Sequence, residues 1–187
     1  MSKSNSNTIE LPKEYFSRDF IISAGSILFR RDPATRELQI CVLYHCRHRE
    51  YRLPSGRKDV GECIGAAAVR ETYEETGYPC KLLPCKMETR ATSPGVDQHP
   101  SVIRSVENAT EPFAVTIRQQ EETGLKIVWW YVTEATGDKI DGTQTESECY
   151  NSQFFEAEQA ITKLAHLDDR RVAEQAWGIV KTQLGLM

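Results

Sequence analysis

The sequence lacks a long hydrophobic run. Its longest apolar stretch, residues 127–132, falls well short of the roughly 20 residues that a membrane-spanning helix needs. Residues 1–14 are polar and contain no apolar core of the kind found in signal peptides. We therefore expect no membrane partner and no secretion signal in this chain. The expected location is the cytoplasm, with the nucleus as an alternative.

An excess of positive charge is also missing. Lys and Arg number 23 against 27 Asp and Glu, which gives a formal net charge of −4 at pH 7. Proteins whose whole surface binds nucleic acid usually carry the opposite balance, so nucleic acid is not the expected partner. The hydrophobic share of 40% and the charged share of 27% are ordinary for a soluble globular protein.

The six cysteines do not form the closely spaced pairs that structural zinc sites use. Most of them are interpreted as small apolar core residues, for example Cys41 in a predicted strand and Cys63 at a predicted helix start. We therefore expect reduced thiols, which suits a cytosolic protein.

Length and composition predict one domain behind a short tail. Residues 1–16 are rich in Ser, Asn and Lys and offer little apolar surface to offset the entropy of ordering, so a flexible tail is expected there. Residues 17–187 are numerous enough to bury a hydrophobic core without disulfides or metal, and they are predicted to form a single domain.

In the first half of the chain, local patterns predict a hairpin and then a helix. Residues 20–29 and 38–44 are apolar, rich in β-branched side chains, and separated by a turn. Residues 63–76 contain three consecutive alanines and no proline, as expected of a helix. That helix is predicted to end at Gly77, in the position of a left-handed cap.

The second half is predicted to finish the sheet and to close with helices. Residues 93–112 have no apolar period and are predicted to form a long loop, a feature that is often functional. Alternation of Phe113, Val115 and Ile117 predicts a half-buried strand, and residues 125–133 a central one. A polar loop over residues 134–151 and helices over residues 156–165 and 168–184 follow. The element order predicts an α/β fold with a sheet packed between helices.

Three glutamates of the predicted helix form the strongest chemical signal. Glu71, Glu74 and Glu75 stand at positions i, i+3 and i+4, which share one helix face. Clustered carboxylates suit a hard divalent cation such as Mg²⁺, which prefers oxygen ligands. Arg70 can pair with Glu74 at i+4. Taken alone, such a cluster is more often a solvated helix face than a metal site.

A longer pattern argues for the metal site. Gly56 is followed after five residues by Glu62, and seven residues later by the run Arg70, Glu71, Thr72, with Glu74, Glu75, Gly77 and Tyr78 completing the series. This series resembles the box of the Nudix hydrolase family, G-x5-E-x7-R-E-U-x-E-E-x-G-U, in which U is a bulky apolar residue. All fixed positions match. Thr72 departs from the aliphatic residue expected there.

The Nudix resemblance implies an α/β/α sandwich with a mixed sheet and the hydrolysis of a phosphoanhydride bond. It further implies Mg²⁺ or Mn²⁺ as cofactor, held by Glu71, Glu74 and Glu75 and by the backbone carbonyl of Gly56. Metal ions that bridge phosphate oxygens polarise phosphorus and lower the pKa of a bound water. Residues 53–62 are, in addition, similar to fungal Nudix proteins with intracellular roles.

Three residues are given catalytic roles by the same resemblance. Arg70 is expected to orient Glu71 or its neighbours, and Glu62 to belong to a salt-bridge network between loop and helix. A carboxylate must accept the proton of the attacking water, and Glu71 is the first candidate. Weaker candidates for this base are Asp97, Glu107, Glu121 and Glu122.

A basic segment precedes the box and suggests the kind of substrate. Residues 45–58 hold five cations and one acid in a chain of negative net charge. Such a segment can bind the phosphates of a polyanionic small molecule, or it can be a solvated hairpin loop, and the two interpretations carry about equal weight. The candidate phosphate-binding residues are Arg47, Arg49, Arg52, Arg57 and Lys58.

Several functions stay open at this point. If the basic segment binds phosphates, a substrate with many phosphates is expected, and diphosphoinositol polyphosphates are favoured. Dinucleoside polyphosphates and nucleotide sugars are the alternatives within the resembled family. A Nudix-like domain that senses its ligand without hydrolysing it is a second class, although intact Glu71, Glu74 and Glu75 favour an enzyme. A purely structural interaction protein is a third, and it predicts no metal binding.

Overall fold

The computed structural model describes residues 14–97, 99, 101–120, 124–146 and 148–185. All but the last three residues of the predicted tail lie outside these ranges, as do Glu121 and Glu122. Among the helices of the described ranges, none combines the length and the apolar character that crossing a membrane requires.

Ten strands and three helices make up the described part of the chain. In order they are β1 (Phe20–Arg31), β2 (Leu38–His45), β3 (Glu50–Arg52), β4 (Ser55–Arg57), α1 (Ile64–Thr76), β5 (Cys80–Leu82), β6 (Cys85–Thr89), β7 (Arg104–Ala109), β8 (Ala114–Gln120), β9 (Gly124–Ala135), β10 (Tyr150–Glu156), α2 (Ala157–Lys163) and α3 (Leu167–Gln183).

The main sheet is mixed and has the order β10-β2-β1-β9-β5, with β3 beside β2, β4 beside β1 and β8 beside β9. The two central strands, β1 and β9, run parallel, and the other pairs are antiparallel. This arrangement joins the two longest apolar segments of the sequence side by side. Strands β6 and β7 form a separate two-stranded sheet.

Helices cover both faces of the main sheet. Ala67 and Ala68 of α1 pack with Tyr131 on one face, while the neighbouring Trp130 belongs to the core that α2 and α3 complete on the other. Successive side chains of a strand point to opposite faces, so these contacts place the helices on opposite sides. The predicted α/β/α sandwich with a mixed sheet is confirmed.

Helix α1 and its end agree with the sequence prediction. The helix runs over residues 64–76, and Gly77 adopts the left-handed conformation with a φ of 79°. Its N–H donates to the carbonyl of Tyr73 at 2.8 Å, which satisfies one of the last carbonyls of the helix. The carboxylates of α1 are therefore fixed on a helix with a well-defined end.

Two strands occur where loops were predicted. Strand β7 lies inside the predicted loop of residues 93–112, and β10 begins in the predicted loop of residues 134–151 and continues over residues for which no element was predicted, up to the first residue of the predicted closing helix. Both strands are rich in polar residues, so periodicity gives no strand signal. Backbone pairing with β6 and with β2 forms them instead.

The strand predicted from Phe113, Val115 and Ile117 exists as β8, but only Phe113, just before the strand, packs against the core, and Val115 and Ile117 point outward. Val115 and Ile117 are 47% and 59% exposed. The inward positions include the polar Thr116, which accepts a hydrogen bond from Trp130 Nε1 at 2.9 Å. That hydrogen bond satisfies the indole N–H of a buried tryptophan. It therefore favours the orientation of β8 in which Thr116 faces inward.

The cysteines are all free, but they divide between core and surface. Cys41 and Cys85 are buried, as expected of small apolar residues. Cys46 and Cys63 are exposed, so the prediction of a core position for Cys63 is wrong. Cys63 precedes the first residue of α1 and lies before the part of the helix that packs on the sheet.

Candidate active site

The acidic face of α1 points into the protein rather than into solvent. Glu71 and Glu75 are only 8% and 5% exposed, whereas Glu74 is partly exposed. Strand β4 lies directly against this face, and the Ser55 N–H donates to Glu75 Oε2 at 2.8 Å. Charged carboxylates are rarely buried without a partner, so this face differs from a solvated helix surface.

Burial changes the acidity of both inner carboxylates. Desolvation raises the pKa of Glu71, and the neighbouring Arg70 opposes that rise. Desolvation also holds the pKa of Glu75 well above its usual range, against the lowering effect of the Ser55 N–H. The negative charges of Glu71 and Glu148 push the pKa of Glu75 in the same upward direction. A cation at this place would relieve the cost of both charges.

Arg70 connects the helix to the preceding loop through its whole guanidinium. Nε and Nη2 donate to the two oxygens of Glu62, each at 2.9 Å, in a bidentate pair. Nη2 also donates to the Arg57 carbonyl at 2.9 Å. Nη1 donates to Glu71 at 2.7 Å and to Glu74 at 3.0 Å. Arg70 therefore fixes Glu62, Glu71 and Glu74 in one network.

Glu62 is held from a second side by the loop. The Asp59 N–H donates to Glu62 Oε2 at 3.0 Å. The hydrogen bonds from Arg70, the strongest influence, keep the pKa of Glu62 below its usual range. The structure thus places Glu62 in a network between loop and helix, the position that the sequence resemblance implied.

A polar cavity of about 660 Å³ opens in front of the carboxylates. We call it the carboxylate cavity. It is large enough for a small phosphorylated molecule. Its lining residues are Ile21, Ser55, Gly56, Arg57, Asp59, Glu71, Glu74, Glu75, Gln120, Lys126, Thr145 and Glu148.

Glu148 is a candidate site residue that the sequence reasoning missed. It belongs to the segment between β9 and β10, which is tied to the end of α1. Thr143 Oγ1 donates to the Glu74 carbonyl at 2.7 Å, and Gln144 Nε2 donates to the Glu75 carbonyl at 2.9 Å. These bonds bring Glu148 to the carboxylate cavity. In the sequence it is one acid of a polar segment and carries no distinguishing pattern.

The donor set fits a hard divalent cation. Glu71, Glu74, Glu75 and the Gly56 carbonyl offer oxygen atoms only, the ligands that Mg²⁺ and Mn²⁺ prefer. Within the described ranges, however, no three acidic, His or Cys side chains already stand in the arrangement of a metal site. Arg70 engages Glu71 and Glu74, and Glu75 turns to Ser55, so side-chain rotation must accompany metal binding.

The five predicted phosphate-binding residues separate in the structure. Arg57 lines the carboxylate cavity. Arg47 and Arg49 lie exposed in the turn between β2 and β3 and contribute to neither the carboxylate cavity nor its neighbour. Lys58 donates to the Asp59 carbonyl at 2.7 Å. The basic residues of this segment are therefore divided between cavity and surface.

Arg52 lines a second cavity of about 270 Å³, which we call the cationic cavity. Two further cations of this cavity, Arg118 and Lys126, were missed by the sequence reasoning because they lie on strands far along the chain from the box. The lining residues are Arg52, Leu53, Ser55, Glu75, Arg118, Lys126, Trp130, Tyr150, His166 and Asp169.

The weaker candidates for a general base receive no support from their positions. Glu107 pairs with Lys86 at 2.6 Å on the small sheet of β6 and β7. Asp97 is exposed, and neither residue lines the carboxylate cavity. Glu121 and Glu122 lie outside the described residues. Of the described carboxylates, those that line the cavity, Glu71 and Glu148 among them, are the ones placed to act as the base.

The fold class is that of Nudix proteins. It shows in the mixed sheet between helices, in the helix of the box and in the Arg70 network. The chain belongs to the NUDIX domain family, whose model matches residues 21–176. This match confirms the predicted membership of the Nudix family, and hydrolases occur among the similar proteins.

Among curated proteins, the 8-oxo-(d)GTP phosphatase of Mycolicibacterium smegmatis is 25% identical over 165 residues. That match covers 83% of this chain but only 41% of the relative, so the chain spans less than half of that protein's length.

Solved structures show the same fold at low sequence identity. The Ap4A hydrolase of C. elegans, solved as a binary complex, superimposes with a TM-score of 0.58 at 16% identity and covers 89% of this chain and 99% of its own. The NUDIX domain of Shewanella oneidensis NrtR, solved with ADP ribose, gives a TM-score of 0.56 at 14% identity, with coverages of 95% and 98%. At such identities the likeness concerns the fold alone.

Proposed function

We propose that this protein uses a divalent metal ion, Mg²⁺ or Mn²⁺, to hydrolyse a phosphoanhydride bond in a polyphosphorylated small molecule. The observation that carries the proposal is the buried carboxylate face of α1, formed by Glu71 and Glu75, at the wall of a polar cavity. Buried carboxylates of raised pKa favour a bound cation. Glu71, Glu74, Glu75 and the Gly56 carbonyl would hold the ion.

In this proposal the residues of the chain position the reactants and move one proton. The bound ion would polarise the phosphate and supply a water of lowered pKa. Glu71 would accept the water's proton. Arg70 would hold Glu71 and Glu74 in position, and Glu62 would hold Arg70. Glu148 is the second candidate for the base.

Diphosphoinositol polyphosphates are the leading substrate class. Arg57 and Lys126 line the carboxylate cavity, and its described lining residues include no aromatic ring on which a nucleobase would stack. With a metal ion neutralising the carboxylates, such a wall would suit a densely phosphorylated ligand better than a base. The fungal-type intracellular origin indicated by residues 53–62 stays a prediction of the same proposal.

Dinucleoside polyphosphates are the second candidate, and nucleotide sugars the third. The neighbouring cationic cavity contains the partly exposed ring of Tyr150, which offers a place for a base. The fold neighbours include an Ap4A hydrolase and a domain solved with ADP ribose. A ligand sensor without turnover is the non-catalytic alternative.

Phosphate release from a substrate panel tests the proposal. The purified chain with Mg²⁺ or Mn²⁺ is assayed on diphosphoinositol polyphosphates, dinucleoside polyphosphates, nucleotide sugars and 8-oxo-dGTP. Turnover of the first class that disappears in Glu75→Gln supports the proposal and its substrate together. Turnover of another class alone would reassign the substrate, and binding without turnover of any class would favour the sensor.

A further inference from the structure

The cationic cavity lies next to the carboxylate cavity and shares one wall with it. Ser55, Glu75 and Lys126 line both cavities. A ligand bound at the carboxylates therefore lies next to the second cavity. The two cavities differ in charge: five acids and two cations line the first, whereas three cations, His166 and two acids line the second.

Carboxylates hold two of these cations in place. Arg118 Nη2 lies 3.0 Å from Asp169 Oδ1, and Asp169 is buried in helix α3. Arg52 Nε donates to Glu50 Oε1 at 2.6 Å, and His166 Nε2 lies 3.4 Å from the same oxygen. An arginine anchored through one part of its guanidinium keeps other N–H groups for a ligand, because it carries five donors.

Lys126 is different, because the described residues provide its ammonium group with no hydrogen bond or ion pair. The side chain is partly buried in β9 at the border of the two cavities. Burial, followed by the nearby charge of Arg118, lowers its pKa. A partly buried cation without a partner is costly, so an anion placed beside it would gain a strong interaction.

We propose that the cationic cavity is a second anion subsite, in which Lys126, Arg118 and Arg52 bind a further phosphate group of the substrate while the carboxylate cavity holds the bond to be cleaved. This inference rests on the proposed function in one respect: it takes the bound phosphate group to be part of the substrate. The ligand chemistry is a phosphate group separated from the scissile bond by a short linkage. Two acids also line the cationic cavity, Asp169 paired with Arg118 and Glu75 bonded to the Ser55 N–H, and the three cations outnumber them.

Binding of inorganic tripolyphosphate to the metal-free protein tests the subsite. With EDTA present, the carboxylates repel the probe, so the measured affinity reports the cationic cavity. Calorimetry should show binding by the wild type and an affinity about tenfold or more weaker for Lys126→Gln, the usual loss for one charge-assisted contact. Lys86→Gln removes an equal charge on β6, where Lys86 pairs with Glu107, and should bind like the wild type.

Two outcomes overturn the subsite: a wild type that does not bind tripolyphosphate, and a Lys126→Gln protein that binds it as tightly. Circular dichroism checks the fold of each variant. If Lys126→Gln does not fold, Arg118→Lys replaces it and should also weaken binding, since an ammonium cannot serve Asp169 and a phosphate in the same way; unchanged affinity in that variant counts against the proposal.

Kinetics separate this inference from the proposed function. On an active substrate, Lys126→Gln should raise KM about tenfold with a smaller effect on kcat, whereas Glu75→Gln should abolish turnover. Tripolyphosphate binding that depends on Lys126, in a protein that hydrolyses none of the panel, would leave the subsite standing and reject the enzyme. An active enzyme whose KM is unchanged by Lys126→Gln would support the proposed function and reject the subsite.

Discussion

The backbone of Gly56 lies directly against the carboxylate of Glu71. A Cβ atom at position 56 would overlap the carboxylate carbon and both of its oxygens. Glycine is therefore needed there for Glu71 to keep its position, because of close approach and not of an unusual backbone conformation, since Gly56 is not among the residues of positive φ. This contact brings a strand carbonyl and a helix carboxylate to one place, as a shared cation would need.

Replacement of Gly56 by alanine should inactivate the enzyme. The added methyl group must displace the Glu71 carboxylate, and a misplacement of about 1 Å can cost on the order of a hundredfold in rate. Phosphate release at saturating Mg²⁺ measures the effect. Gly178→Ala is the matched control, because nothing lies within 4 Å of its Cβ position on α3. It should keep full activity and gain about 0.5–1 kcal/mol in stability. An active Gly56→Ala enzyme would contradict the packing argument.

Replacement of Arg70 by lysine should separate the helix carboxylates from the loop. A single ammonium cannot pair with both oxygens of Glu62 while it bridges Glu71 and Glu74. We expect a loss of about 1–3 kcal/mol in the free energy of unfolding and a higher Mg²⁺ concentration for half-maximal activity. Chemical denaturation and a Mg²⁺ activation curve measure the two effects. Arg31→Lys, at an exposed arginine that bonds the Arg36 carbonyl, should change neither.

Buried Glu75 should make the metal-free protein less stable as the pH rises. The pKa of this carboxyl is raised in the folded state, so the folded protein holds its proton longer than the unfolded chain does. Its contribution to stability is complete below the usual value of 4.5 and is lost as pH increases through the raised pKa. The folded protein then carries a buried negative charge.

The neutral variant Glu75→Gln tests this sign, since its side chain can still accept the Ser55 N–H. In EDTA, Glu75→Gln should be more stable than the wild type at pH 8 and equal to it near pH 4. Urea unfolding at several pH values gives the comparison. Mg²⁺ should stabilise the wild type and leave the variant unchanged. If Glu75→Gln were less stable than the wild type at pH 8, the claim that the buried charge of Glu75 destabilises the folded protein would be wrong.

Thr72 shows how the protein accommodates the departure from the Nudix box. Its hydroxyl is buried and lies 2.6 Å from Ser26 Oγ, which lies 2.6 Å from Thr133 Oγ1. The Thr72 hydroxyl also donates to the Ala68 carbonyl at 2.7 Å. A hydroxyl network thus takes the place of an aliphatic contact between α1 and the two central strands.

Thr72→Val should cost about 1–2 kcal/mol in the free energy of unfolding although it restores an aliphatic residue. Valine has nearly the shape of threonine, but it deprives Ser26 of a partner in the core. Urea unfolding of both single variants and of Ser26→Ala/Thr72→Val forms a double-mutant cycle. The double variant should lose less than the sum of the single losses. An additive result would show that the two hydroxyls do not act together.

The sequence was sufficient to predict the elements that local chemistry fixes. The alanine run and the Gly77 cap defined α1, and the spacing of the box located Gly56, Glu62 and Arg70 around it. These features lie within about 20 residues of one another, so a one-dimensional pattern captures them.

Features that depend on distant contacts were not predicted from the sequence. Lys126 and Arg118 reach the second cavity because β8 and β9 pair in register, and Glu148 reaches the first because Gln144 bonds the end of α1. Likewise, β10 is a strand because β2 offers its edge. Tertiary pairing, and not local propensity, decides such positions.

Manganese binding measured together with turnover tests the central claim most directly. Electron paramagnetic resonance follows free Mn²⁺ while phosphate release is recorded at the same metal concentrations. In the wild type, turnover should rise with occupancy of the site, and a variant with Glu71, Glu74 and Glu75 all changed to Gln should neither bind Mn²⁺ nor release phosphate. Undiminished turnover in that variant would contradict the account.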